Sequence, residues 1–130
     1  MALSTGIEHF AICARDTAAL ADFYVNTLGF SIVFRNAKTP PTLFVKPARP
    51  GSMIEIMPAA DKPIARREMT DPGLVHVALS VADLAASMAE LTARGIRFEG
   101  EVRVSGDAQA VFFRDPEGNI LHLIQRGRPL

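Results

Sequence analysis

The sequence predicts an α+β fold built from two tandem βαβββ modules. Apolar runs typical of strands are separated by two segments of helical periodicity, and glycine and proline residues mark the boundaries. The same order of elements occurs twice at a nearly constant offset. The candidate helix caps Asp16 and Asp83 lie 67 positions apart (83 − 16), and the helix-ending glycines Gly29 and Gly95 lie 66 apart (95 − 29). Such an internal repeat indicates two copies of one structural unit.

The first module is expected over residues 6–57. Its opening apolar run, 6–14, predicts a strand, and Asp16 is a suitable N-cap for the helix that follows. That helix has apolar residues at three- and four-residue spacing and ends at Gly29. Proline and glycine pairs then separate three β-rich runs, which predict strands over 30–34, 42–45 and 52–57.

The second module is expected over 74–126, after a polar, proline-broken connector over 58–73. A strand over 74–81 precedes Asp83, which caps a helix ended by Gly95. The remaining strands are predicted over 97–104, 109–114 and 120–125. Both modules are expected to form a single domain over 1–130, because a chain of this length that is 48% hydrophobic can bury a proper core.

The composition excludes several classes of partner. The chain has 14 basic and 14 acidic residues, so no nucleic-acid-binding surface is indicated and a small-molecule partner is expected. Cys13 is the single cysteine, which precludes an internal disulfide and favours a reducing, cytoplasmic location. No apolar stretch approaches the roughly 18 residues of a membrane span, and no signal-peptide pattern is present. We therefore expect an unprocessed protein without a membrane segment.

Four chemically distinctive side chains follow the same repeat. His9 and His76 lie 67 positions apart (76 − 9), as do Glu55 and His122 (122 − 55), and the chain has 3 histidines in all. Because strand side chains alternate between faces, each module offers one such group from its first strand and one from its last. A single strand histidine is more typical of a structural residue, and a single glutamate of a solvated carboxylate. The paired offsets favour a common site.

If each module is a curved sheet with its helix outside, the two concave faces enclose a cavity in which the four groups converge. Three imidazoles and one carboxylate bind divalent ions such as zinc, nickel, cobalt, iron or manganese. The sequence therefore predicts a curved mixed sheet around a metal-binding cavity, with His9, Glu55, His76 and His122 as ligands. The same faces suit a hydrophobic or aromatic small molecule with a few oxygens. The predicted substrate-binding residues are Cys13, Met53, Met57, Ile120 and Ile124.

The chain resembles the vicinal oxygen chelate superfamily in the stretches GIEHFAI, LADFYVNTLGF, HVALSV and FFRDPEGNILHLIQ. This superfamily includes glyoxalase I, bleomycin and fosfomycin resistance proteins, methylmalonyl-CoA epimerase and extradiol dioxygenases. The last stretch is similar to its recurring Asp-Pro-x-Gly-Asn turn, which precedes a ligand-bearing strand. The resemblance implies a metal-centred cavity that a second subunit often completes, so a homodimer is expected. It also implies ligands in the order His9, Glu55, His76 and His122.

Two features depart from relatives with known chemistry. Members with lyase, epimerase or fosfomycin-modifying activity usually have a glutamate at the position of His122, and in glyoxalase I such a carboxylate can abstract the substrate proton. Bacterial glyoxalase I also tends to hold glutathione with an arginine four residues after the first ligand and an asparagine four after the second. Here these positions are Cys13 and Ala59. Neither holds a carboxylate as arginine does, so an activity independent of glutathione is expected.

The resemblance and the donor set together imply a glyoxalase-like, metal-dependent enzyme of the lyase or isomerase type. The ion would act as a Lewis acid on neighbouring substrate oxygens. Glu55 is the only carboxylate of the four, so Glu55 or a metal-bound water is the candidate base, and Glu55 is the predicted catalytic residue. Two alternatives stay open. One is an iron(II)- or manganese-dependent dioxygenase, and the other is a non-catalytic small-molecule-binding protein of the bleomycin resistance type.

Overall fold

The computed structural model describes residue 1 and residues 3–130, which form two compact units, Met1–Pro63 and Ile64–Leu130. Within the described residues, each unit contains one helix and one four-stranded sheet. The first unit consists of β1 (His9–Ala14), α1 (Thr17–Asn26), β2 (Ser31–Arg35), β3 (Leu43–Lys46) and β4 (Met53–Pro58). The second consists of β5 (His76–Ser80), α2 (Leu84–Ala93), β6 (Phe98–Ser105), β7 (Ala108–Arg114) and β8 (Ile120–Arg126).

The two sheets have equivalent topologies. Their strand orders are β1-β4-β3-β2 and β5-β8-β7-β6. In each sheet the first strand in the chain pairs in parallel with the last one, and all other neighbours are antiparallel. The strands that carry the predicted ligands of each module are therefore hydrogen-bonded neighbours, although most of the module separates them in the sequence.

Both helices begin directly after the predicted caps, but they end at Asn26 and Ala93, before the predicted glycines. The Asp16 side chain accepts a hydrogen bond from the backbone N–H three residues on at 2.9 Å, and Asp83 accepts the equivalent bond at 2.8 Å. Beyond the helix ends, Gly29 and Gly95 have φ of 76° and 89°, which glycine adopts without a Cβ clash. Neither helix in the described part of the chain is long and apolar enough to cross a membrane.

Each helix packs on the apolar side of its own sheet. α1 contacts all four strands of the first sheet, and α2 contacts β8. Glu55 lies between the buried Ile54 and Ile56, and His122 between the buried Leu121 and Leu123. Burying one such aliphatic side chain contributes about 1.5–3 kcal/mol. Because side chains alternate along a strand, burial of the aliphatic neighbours directs both ligands to the opposite face.

The α+β class and the two βαβββ modules are confirmed. The strands form two four-stranded mixed sheets, one in each module. β1 and β5 also begin later than predicted, at His9 and His76 rather than at positions 6 and 74. The reason lies in the partner strands, since Met53 and Ile120 begin β4 and β8 directly opposite these two histidines.

Candidate metal centre

In the first unit, His9 and Glu55 meet across neighbouring strands. The Nε2 atom of His9 lies 3.4 Å from Oε2 of Glu55. The parallel register explains this contact, because His9 is opposite Met53 and Glu55 lies two positions further along β4, opposite Ala11. Side chains two residues apart on a strand share a face. The small alanine leaves room for the glutamate to reach diagonally toward the imidazole.

The other nitrogen of His9 contacts a second carboxylate. Nδ1 of His9 is hydrogen-bonded to Oε2 of Glu8. This bond raises the pKa of His9 above its usual value against a smaller lowering by burial, and the charges of Glu8 and Glu55 add to the increase. In neutral His9, an Nδ1 proton donated to Glu8 leaves the Nε2 lone pair free on the side of Glu55. That tautomer binds a metal ion through Nε2.

In the second unit, the same register brings His76 beside His122. His76 is opposite Ile120, and His122 is opposite Ala78. The centroids of the two imidazole rings are 4.5 Å apart, with their planes tilted by 45°. His76 is exposed, whereas His122 is only 8% exposed. The second unit therefore supplies two imidazoles where the first supplies an imidazole and a carboxylate.

His122 is buried without a hydrogen-bond partner. Among the described residues, nothing donates to or accepts from either of its ring nitrogens. Leaving a buried polar group unsatisfied costs about 1–3 kcal/mol. Burial lowers the pKa of His122 below its usual value, and electrostatic repulsion by the neighbouring His76 and Arg126 lowers it further. The ring is therefore neutral near pH 7 and has a lone pair that a metal ion can use.

The turn before β8 determines how His122 is presented. Asp115 is 4% exposed and accepts hydrogen bonds from the backbone N–H groups of Glu117 and Asn119 at 3.0 and 2.9 Å, and from the Asn119 side-chain amide at 2.8 Å. Gly118 has a φ of 88°, which residues with a Cβ rarely adopt. The Asp-Pro-Glu-Gly-Asn turn is thus held by hydrogen bonds among its own residues. It directly precedes β8, the strand that carries His122.

We expect Asp115→Ala to lower the free energy of unfolding by about 2 kcal/mol, because three donors lose their acceptor. Asp115→Asn is the matched control, since its single side-chain oxygen can still accept from both backbone N–H groups. It should lose about half as much stability as the alanine variant. Denaturant-induced unfolding measures both values. Equal losses in the two variants would show that the turn does not depend on these hydrogen bonds.

A phenylalanine from the neighbouring strand borders each ligand pair. Phe44 on β3 is opposite Glu55, and its ring centroid lies 5.3 Å from that of His9. Phe112 on β7 is opposite His122, with the ring centroids 4.8 Å apart. Neither ring is among the residues predicted for the site, although their separation of 68 positions (112 − 44) continues the repeat. That offset was the available signal.

The five predicted substrate-binding residues lie on the same faces as the ligand pairs. The first sheet contributes Cys13, Met53 and Met57, and the second sheet contributes Ile120 and Ile124. Their accessibility differs, because Cys13 is exposed and Ile120 is 3% exposed. Their role in substrate binding stays a prediction.

The four predicted ligands occur as two pairs. Across residues 1 and 3–130, no three or more histidine, cysteine or acidic side chains form a group that could hold a metal ion. Each pair nevertheless presents donors that first-row divalent ions accept, and His122 has nitrogens that the protein itself leaves unused. The residues therefore fit a divalent ion. The convergence of all four ligands stays a prediction.

Both the sequence and the fold are similar to known proteins. The uncharacterized protein YaeR of Escherichia coli (strain K12) is 32% identical over 126 residues, which cover 92% of this chain and 95% of YaeR. Biphenyl-2,3-diol 1,2-dioxygenase 3 of Rhodococcus globerulus is 24% identical over 127 residues, which cover 95% of this chain and 64% of the dioxygenase. This chain therefore matches less than two thirds of the dioxygenase.

The chain is also similar to a solved structure and matches a family model. TnmS3, an antibiotic binding protein from Streptomyces sp. CB03234, has a TM-score of 0.77 at 22% identity, with 98% of this chain and 100% of TnmS3 covered. At this identity the likeness shows the fold. The family model of the Glyoxalase/Bleomycin resistance protein/Dioxygenase superfamily, whose members typically use divalent metal ions and bind small molecules, matches residues 6–123. The chain belongs to this superfamily.

Proposed function

We propose that the protein is a glyoxalase-like enzyme that uses a divalent metal ion to act on a small oxygenated substrate. His122 carries the proposal, because a buried imidazole with two unpartnered nitrogens, packed against a second imidazole, is costly unless a ligand uses it. The proposed ligands are His9, Glu55, His76 and His122, which suit zinc, nickel, cobalt, iron or manganese. Each unit supplies one pair of these ligands, and we expect the protein to form a homodimer.

Glu55 has the position and the chemistry of a general base. Its side chain is 20% exposed and lies beside Nε2 of His9, so it is both held by a neighbour and accessible to a small substrate. A carboxylate in such a place can accept a proton from a carbon next to a carbonyl group and return it to an adjacent atom. This is isomerase or lyase chemistry. A bound divalent ion would supply Lewis acidity toward the substrate oxygens on which negative charge builds.

The proposed activity does not require glutathione. Cys13 has an exposed thiol group, and the backbone N–H of Ala59 donates a hydrogen bond to Ala14 O at 2.9 Å. Neither provides a cation for a glutathione carboxylate. Met53 and Met57 lie on the same face as Cys13. These side chains suit an apolar substrate whose vicinal oxygens reach the metal ion.

A dioxygenase is the second candidate, favoured by the similarity to biphenyl-2,3-diol 1,2-dioxygenase 3 over nearly the whole chain. Three imidazoles and one carboxylate also suit iron(II) or manganese. Oxygen consumption by the iron(II)-loaded protein, with catechol as the probe, separates the two candidates. Stoichiometric oxygen uptake with ring opening would favour the dioxygenase, and its absence with an active metal-loaded protein would favour the isomerase or lyase.

Metal content is the direct test of the proposed function. Protein purified without chelators or a polyhistidine tag should hold about one divalent ion per complete site, because the ligands are all protein side chains. Elemental analysis measures this content, and size-exclusion chromatography with light scattering tests for the homodimer. Metal far below one ion per chain, with no uptake on addition, would replace the proposal with a non-catalytic small-molecule-binding protein of the bleomycin resistance type.

Ala11 is opposite Glu55 and Ala78 is opposite His122. The small size of these alanines should also affect metal binding. We expect Ala78→Leu to crowd His122 and weaken cobalt(II) binding by about tenfold, the scale reported for disturbed ligand orientation. Because position 78 is exposed, stability should change by less than about 1 kcal/mol. Ser80→Leu, on the same strand and face but opposite Ile124, is the matched control. Equal cobalt(II) affinities of the two variants, measured by visible absorption, would contradict the crowding argument.

A further inference from the structure

We propose that the second sheet carries a subsite for an aromatic anion, formed by Arg103 and Phe112 beside the His76–His122 pair. This inference rests on the proposed function and deepens it, because it names the class of substrate. Within the class proposed above, the preferred substrate has an apolar aromatic ring with vicinal oxygens that reach the metal ion, and it carries one acidic group that binds the guanidinium.

Strand pairing places the members of this subsite on one face. Phe112 on β7 is opposite His122 on β8. Arg103 on β6 is opposite Ala110 on β7, and Ala110 lies two residues before Phe112. Paired residues share a face, and so do residues two apart on one strand. Arg103, Phe112 and His122 therefore project from the same side of the sheet, opposite its buried aliphatic core.

The Phe112 ring lies between the Arg103 guanidinium and the two imidazoles. Cζ of Arg103 lies 4.8 Å from the centroid of the Phe112 ring, within the range of a cation–π contact. The Phe112 centroid lies 4.8 Å from that of His122 and 5.8 Å from that of His76, which meets it edge-on at 88°. The guanidinium and the imidazole pair are thus separated by one phenyl ring. A single-ring acid spans a comparable distance.

Arg103 forms no ion pair with a carboxylate of the described residues. In the described part of the chain, none of the ion pairs within 4.0 Å involves Arg103. The neighbouring Arg114 differs, since Glu99 contacts it at 2.8 Å and also contacts Arg66 at 3.1 Å. A planar guanidinium with free donors favours a carboxylate, which it can bind through two parallel hydrogen bonds.

The floor of the subsite is made of small residues. Ala110 lies between Arg103 on one side and Ile124 on the other. The next residue on this face of β7, Ala108, is opposite Arg126, which adds a second cation to the face. Ala110 is half-buried and presents only a methyl group beside Phe112, whereas Ala108 is buried. A planar anion suits a surface in which small residues lie beside an aromatic ring and two cations.

The test compares an acid with its neutral isostere. Cobalt(II)-loaded protein is titrated with 3,4-dihydroxybenzoate and with 3,4-dihydroxybenzamide, and the visible absorption of cobalt reports binding. The wild type should bind the acid about tenfold more tightly than the amide, as expected for one charged hydrogen-bonded contact. Arg103→Gln should bind both equally. Arg97→Gln, which removes an exposed charge from the same unit outside its strands, is the control and should keep the preference.

Three outcomes would overturn the subsite: equal binding of acid and amide by the wild type, a preference that survives in Arg103→Gln, or a preference lost only in Arg126→Gln. Cobalt content is measured in every variant, so failure of the metal site is recognised separately. If the wild type takes up no cobalt, the proposed function fails. The metal-free protein is then titrated with benzoate and benzamide by NMR, where a benzoate preference removed by Arg103→Gln supports the subsite and its absence overturns it.

Discussion

Replacing His122 with leucine is expected to abolish metal binding and to raise the free energy of unfolding of the metal-free protein by about 1–2 kcal/mol. The two effects have one cause. The imidazole is 8% exposed, and neither of its nitrogens has a partner among the described residues. Leucine has no polar atom to desolvate, and it matches the aliphatic neighbours Leu121 and Leu123. A buried polar residue that is kept for ligand binding lowers the stability of the fold. Its replacement is therefore expected to raise stability and to remove metal binding.

His76→Leu is the matched control. His76 is exposed, so its replacement should also abolish metal binding but should bring no comparable stabilisation. Denaturant-induced unfolding in the presence of a chelator gives the stability of each variant, and cobalt(II) titration gives the affinity. Stabilisation by His76→Leu equal to that by His122→Leu would show that burial of the imidazole is not the cause. Metal binding that survives His122→Leu would remove His122 from the ligand set.

The stabilisation by His122→Leu should also depend on pH. The pKa of His122 is lowered from 6.5 in the folded protein, so below pH 6.5 the unfolded chain binds a proton that the folded chain resists. Folded wild type therefore loses stability as the pH falls from about 6.5 toward the lowered pKa of the folded state. The leucine variant lacks this loss, so its advantage should grow over that range. An advantage that is constant between pH 8 and pH 5 would contradict the assignment.

The order of elements could be predicted from sequence, and the four candidate ligands could be singled out, because both depend on local or periodic signals. Asp16 and Asp83 are helix caps in the structure as in the prediction. The 67-residue offset brought together His9 with His76 and Glu55 with His122. The structure shows different partners in contact, since parallel pairing joins the first and last strands of each module. A constant sequence offset identifies equivalent positions in the two modules. Which of these residues are in contact depends on the pairing register of the strands.

The features that the sequence did not predict depend on lateral register and on burial. Phe112 and Arg103 occupy ordinary positions in β-rich runs, and only the pairing of three strands places them beside His122. The contact of Glu8 with His9 depends on where β1 begins. That His122 is buried and unpartnered is a property of packing, to which residues distant in sequence contribute. Alternation of strand faces gives the side on which a residue lies but not its neighbours across the sheet.

Glu55→Gln is expected to weaken metal binding by more than about 100-fold, exceeding the loss usual for an outer-shell partner. Glutamine has the size of glutamate, so the packing of β4 is preserved, but it lacks the anionic oxygen that lies 3.4 Å from Nε2 of His9. With 20% of the side chain exposed, the stability of the metal-free protein should change by less than about 1 kcal/mol. A large loss of affinity without a loss of stability is the signature of a ligand.

Glu8→Gln provides the comparison that separates a ligand from a residue that orients one. Both variants remove one carboxylate that contacts His9, at Nδ1 for Glu8 and at Nε2 for Glu55. Glu8→Gln should weaken cobalt(II) binding by only about tenfold, because the glutamine oxygen can still accept the Nδ1 proton and hold the ring. The affinities of the two variants are compared at the same pH. If the two variants lost affinity equally, Glu55 would act on the ion only through His9, and the four-ligand site would lose its single carboxylate.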